Sequence, residues 1–124
     1  MQIIITIRLV FIASLFIVFY LSIVPASDIP NFAMLSDITD KAVHAVIYFY
    51  LALLGLMSKY KLSEFVMIIN IFCFGLIIEI IHIFHPYRFF ECFDLLANLI
   101  GVTIALLFFR LKNKINYWFI FFSP

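Results

Sequence analysis

The sequence predicts an all-α fold: a bundle of four transmembrane helices with both chain termini on the cytoplasmic side. Composition is the first ground for this. Of 124 residues, 67% are hydrophobic and 12% are charged, whereas soluble domains carry about 25% charged residues. A soluble chain of this length could not cover so much apolar surface. The second ground is four apolar runs, at 9–24, 42–57, 62–84 and 92–109. With their flanks they reach the ~17–25 residues that a span requires. The third ground is the placement of charge. If four helices alternate, Arg8, Lys59, Lys61, Arg110, Lys112 and Lys114 fall on one side, and Lys41 and Arg88 on the other. The side rich in Lys and Arg is cytoplasmic. Acids distribute oppositely: Asp28, Asp37, Asp40, Glu91 and Asp94 lie outside with Glu79 nearby, and only Glu64 lies inside. A net charge of +1 is too near neutral to suggest a nucleic-acid partner.

A single domain over 1–124 is expected, with helices at about 4–24, 40–58, 62–84 and 92–111. The first helix extends back past Arg8 if that side chain snorkels. Val24-Pro25-Ala26 resembles a signal-peptide cleavage site. The long apolar run and the lone basic residue at position 8 argue instead for a retained helix. The second helix follows a loop at 25–39, where Pro25, Ser27, Asp28, Pro30 and Asn31 are turn formers. Residues 32–35 are expected to dip into the membrane interface. Ser36 or Thr39 suits a helix cap, and Asp37 and Asp40 suit the positive helix end. A short hairpin at 58–61 leads to the third helix, which Pro86 terminates. Gly75, Gly101 and Ala105 allow close helix packing. The aromatic stretch 117–122 is too short to span and is expected in the cytoplasmic interface. Tyr20, Tyr50, Tyr87, Tyr117 and Trp118 suit interfacial belts. Nothing places Cys73 near Cys92, so two unpaired thiols are expected.

Function should lie in 79–101, EIIHIFHPYRFFECFDLLANLIG. A charged group at the centre of a membrane helix costs roughly 2.5–3.5 kcal/mol on insertion scales, so a chain carrying several such groups has a use for them. Asp40, His44 and Tyr48 share one face of the second helix, being four residues apart. Glu79 and His82 share a face of the third, with Gly75, and Asp94, Asn98 and Gly101 share a face of the fourth. All three faces put polar groups at the same depth, in the outer third of the membrane. Their convergence on a polar pocket open to the outside is the central structural expectation.

Glu79 suits a proton donor or acceptor, or an internal ion pair with Arg88 or Lys41. His44 suits a general base oriented by Asp94 or Asp40, or a hydrogen bond between helices. Lys41 and Arg88 suit an anionic headgroup, although Arg88 equally suits an interfacial anchor. Asp94 and Asn98 either satisfy backbone donors and bridge helices or belong to the site, and Tyr48 is placed to line the pocket. Glu-x-x-His at Glu79 and His82 is one half of a carboxylate metal motif. Asp40, His44, Glu79, His82 and Asp94 could together hold zinc, but only one copy of the motif is present and no metal is expected. No nucleophile elbow, phosphate-binding glycine loop, zinc-protease motif or dinucleotide fingerprint is found, and no cofactor is expected.

The ordered set Asp40-Lys41-x-x-His44-x-x-x-Tyr48, Glu79-x-x-His82-x-Phe84-x-Pro86-x-Arg88 and Asp94-x-x-x-Asn98-x-x-Gly101 resembles the VanZ-like family of small bacterial membrane proteins. The resemblance covers about residues 36–108. His82 departs from it, since the family usually has glutamine there, and this argues against a general metal requirement. The resemblance implies four helices in the bacterial cytoplasmic membrane, and the founding member is associated with teicoplanin resistance. Two functional readings follow. In one, the protein is a membrane-embedded enzyme acting on an envelope lipid or lipid-linked glycan. Glu79 and His44 would do acid–base work, Asp94 would orient His44, and Lys41 and Arg88, with Asp40, Tyr48, His82 and Asn98, would hold the substrate. In the other, it is a non-catalytic binding or structural protein that shields the envelope. A transporter would need several copies of so small a bundle, and a homo-oligomer is compatible with the sequence.

Overall fold

The computed structural model describes residues 1–24, 37–86 and 88–122, with no account of the side chains of Asp37 and residues 116–122. The described residues form four helices: α1 (Gln2–Ile23), α2 (Asp37–Met57), α3 (Glu64–Phe84) and α4 (Cys92–Phe122). Each contains a stretch long and apolar enough to cross a membrane: Gln2–Ile23, Ile38–Met57, Glu64–Phe84 and Cys92–Ile115. The chain is a multi-pass membrane protein of the all-α class.

The structure departs from expectation at three helix boundaries and at Arg8. α2 begins at Asp37, so Thr39 lies in its first turn and is not a cap. Ser36, the loop prolines and the stretch 32–35 fall outside the described residues. α3 begins at Glu64 because the Ser63 side chain caps it, accepting from the Val66 N–H at 3.2 Å. α4 runs through Phe122, so 117–122 continues the helix beyond the expected end near residue 111. No proline or glycine interrupts the chain between Gly101 and that point. Finally, Arg8 does more than snorkel. It donates from Nε to Ser58 O at 2.9 Å and from Nη2 to Lys59 O at 3.0 Å.

α1 is apolar around its whole circumference and buries only Phe11, as a helix facing lipid does. Large side chains such as Phe16, Ile104 and Leu107 likewise stay exposed on the bundle. The most extensive contact is between α2 and α4. It requires Gly101, where a Cβ would stand 2.2 Å from the Ala45 carbonyl oxygen. Gly75 admits Tyr48, since a Cβ there would lie 2.7 Å from the tyrosine hydroxyl. α1 and α3 barely touch, which leaves apolar clefts along their seam. One is lined by Ile12, Leu15, Phe16, Phe19 and Phe74, and the next by Phe11, Tyr60, Met67 and Ile71 among others. Cys73 and Cys92 are free and exposed.

Candidate functional site

One end of the bundle gathers the end of α1, the start of α2, the end of α3 and the start of α4. The three polar faces meet there. Glu79 is 0% exposed, Asn98 1%, Tyr48 3% and Asp94 6%, so these groups exchange water for one another.

α2 presents Lys41 and His44 to the opening turns of α4. Lys41 Nζ lies 2.7 Å from Asp94 Oδ1 and 3.6 Å from Asp40 Oδ2, and it also donates to Glu91 Oε2. The His44 ring is held from two sides, with Nε2 3.5 Å from Asp94 Oδ2 and Nδ1 3.2 Å from Asn98 Oδ1. Of the two acids the sequence offers as partners of His44, Asp94 makes the contact with its ring, and Asp94 also balances Lys41.

α3 contributes Glu79 and His82. The Ser22 carbonyl can only accept, so His82 Nε2–H donates to it, at 3.0 Å. His82 Nδ1 then faces Glu79 Oε2 at 3.5 Å, and a single proton placed between them links the two. Glu79 Oε2 also accepts the Glu91 N–H at 3.3 Å. Glu91 precedes α4 and accepts that helix's first bonds, from Asp94 and Leu95. A carboxylate from α3 therefore sits at the positive end of α4, where negative charge is favoured. The other oxygen, Glu79 Oε1, is buried and has no hydrogen-bond partner among the described residues, as is also true of Asp40 Oδ1. An unmet buried acceptor typically costs about 1–3 kcal/mol.

Arg88 turns toward α1. It donates from Nε to Val24 O at 3.3 Å and from Nη2 to Leu21 O at 3.3 Å and Val24 O at 3.1 Å. α1 ends without a glycine, and this guanidinium satisfies its last carbonyls.

Two spaces adjoin these groups and share His44, His82 and Arg88 in their lining. A polar vestibule is lined by Asp40, His44, His82, Arg88, Phe89, Glu91 and Asp94. The other is an apolar chamber of about 130 Å³, walled by Val18, Leu21, Val43, Ile47 and Ile78, with Ser22, His44, Tyr48, Glu79, His82 and Arg88 as its polar lining. An engineered apolar cavity of ~150 Å³ takes a benzene molecule, so the chamber fits a short stretch of hydrocarbon.

Every sequence-predicted site residue lies at this end, with a different division of labour. The proposed zinc set splits: Asp40, His44 and Asp94 bring ligand atoms within 4.8 Å of one another, and Glu79 pairs with His82 on the chamber side. The three carry a cation already, because the Lys41 ammonium lies among them. Sequence reasoning overlooked Glu91, although its spacing of three from Asp94 places both at the start of one helix. It also overlooked the Ser22 carbonyl, which leaves no mark in side-chain patterns. Tyr87 lies outside the described residues.

The fold and the site together define a multi-pass membrane protein with a buried carboxylate–histidine site at one end of its bundle. The chain is similar to an uncharacterized protein of the fission yeast Schizosaccharomyces pombe, at 32% identity over 109 residues and 85% of this chain. This chain spans 63% of that relative's length. No model of a known protein family matches the chain, and no solved structure matches it.

Proposed function

We propose that this protein binds, and acts on, an amphiphilic component of its membrane, through the chamber that ends at Glu79. The observation that carries this is one fully buried carboxylate, Glu79, that lines an apolar chamber and whose Oε1 has no hydrogen-bond partner among the described residues. Hydrocarbon fits the Val18, Leu21 and Ile47 side, and the clefts along α1 and α3 accommodate more of a tail. The polar end of the ligand then reaches Glu79 and the vestibule. In the catalytic form of this reading, Glu79 exchanges a proton with the ligand and His82 or His44 takes part in its transfer.

The positive-inside bias supports cytoplasmic termini and an outward-facing vestibule. The motif resemblance supports a VanZ-like protein of the bacterial cytoplasmic membrane and a part in teicoplanin-type resistance, which a susceptibility assay on cells lacking the protein tests. A similar chain in a eukaryote favours an amphiphile that is not confined to bacterial envelopes.

The non-catalytic reading has an observation of its own. Both nitrogens of His44 and of His82 already face protein partners, as in a network that fastens helices. Mass-spectrometric lipid profiles of cells lacking the protein, carrying it, or carrying Glu79→Gln at matched abundance decide between them. A species that changes only with intact Glu79 establishes chemistry. Three identical profiles establish the fastening role.

A further inference from the structure

We infer that the head group bound at this site is a hydrogen-bond donor, a primary ammonium, and that anionic head groups are disfavoured. The inference rests on the amphiphile-binding reading above and concerns which amphiphile. The cations that were candidates to hold an anion are engaged by the protein itself. Lys41 Nζ lies among Asp40, Glu91 and Asp94, and Arg88 binds the carbonyls of Leu21 and Val24. The imidazole nitrogens of His44 and His82 face Asp94, Asn98, Glu79 and the Ser22 carbonyl. Among the described residues, two buried oxygens have no hydrogen-bond partner: Oε1 of Glu79, which lines the chamber, and Oδ1 of Asp40, which lines the vestibule. Tyr48 also lines the chamber, and its hydroxyl can accept as well as donate. An anionic head would bring further acceptors against unmet acceptors. An ammonium brings three donors and the opposite charge. The protein makes the same choice internally, where the Lys41 ammonium sits among carboxylates.

The test uses the full chain in phosphatidylcholine nanodiscs, whose head group donates no hydrogen bond. Three dodecyl probes carry a diazirine in the tail and differ only in the head: ammonium, trimethylammonium or phosphate. Labelling of Val18, Val43 and Ile47 is read by peptide mass spectrometry. It is divided by labelling of the exposed residues Ile104 and Leu107, which corrects for partition into the bilayer. The expected result is at least tenfold more chamber labelling by the ammonium than by either other probe. Glu79→Gln should abolish that preference, and Asp40→Asn should reduce it. Equal labelling by trimethylammonium overturns donation as the basis of selection. Equal or greater labelling by the phosphate overturns the inference and leaves the amphiphile-binding reading standing. No probe labelling the chamber above the lipid-facing level overturns both. The panel on the unsubstituted chain decides by itself if Glu79→Gln fails to fold.

Discussion

The two ends of the bundle use the same side-chain chemistry in opposite ways. At the end bearing the α2–α3 hairpin, Arg8 donates to the Ser58 and Lys59 carbonyls and stacks over Tyr60, its guanidinium carbon 4.8 Å from the ring centroid. Glu64 pairs with Arg110 at 2.8 Å, the two being 38% and 57% exposed. At the other end Arg88 also holds backbone carbonyls and acids also meet bases, but Glu79 and Asp94 are buried. Exposed, such a pair is screened and interchangeable. Buried, each oxygen needs a partner, and Glu79 Oε1 lacks one among the described residues. Burial, not charge, separates a fastening from a site.

The comparison breaks most completely if the buried end loses its scaffold. Gly101→Val places a side chain against the Ala45 backbone, which no rotamer change relieves. It should cost about 3 kcal/mol or more, read as loss of monodisperse protein and gain of protease sensitivity, though it touches no charged group. Next comes Lys41→Met, which leaves the carboxylates of Asp40, Glu91 and Asp94 without their shared cation. Fully buried pairs lose ~3–5 kcal/mol when one partner is removed. Lys41 is 24% exposed, so about 2–3 kcal/mol is expected, measured as thermal stability in detergent. Adding Asp94→Asn should recover part of it; no recovery would mean that Lys41 acts by packing. At the opposite end Arg8→Ala removes two hydrogen bonds and an aromatic contact, for about 1–2 kcal/mol. Arg110→Ala should change stability by less than ~1 kcal/mol. A loss from Arg110→Ala as large as that from Lys41→Met would erase the distinction between the ends.

Pattern carried from sequence to structure where the rule was local. Four apolar runs became four helices, because a backbone in lipid must satisfy its hydrogen bonds internally. Spacings of three and four put Asp40 with His44, Glu79 with His82, and Asp94 with Asn98 on common faces. Helix ends were less legible. The Ser63 cap and the unbroken run of α4 to Phe122 turn on single side chains and on the absence of a breaker.

By itself, then, the sequence determined the class, the four helices of the described residues and which polar groups share a helix face, since hydropathy and periodicity are properties of neighbouring residues. It also named the residues that gather at one end. Their partnerships were decided by the tertiary structure alone. Close approach of α2 and α4 at Gly101 brings Lys41 and His44 onto Asp94. The end of α1 engages Arg88 at the wall of the vestibule and offers the Ser22 carbonyl to His82. Which donor meets which acceptor depends on distances across helices remote in the chain, and one-dimensional spacing holds no record of them. For that reason the unmet oxygen of Glu79 emerges only from the packed bundle.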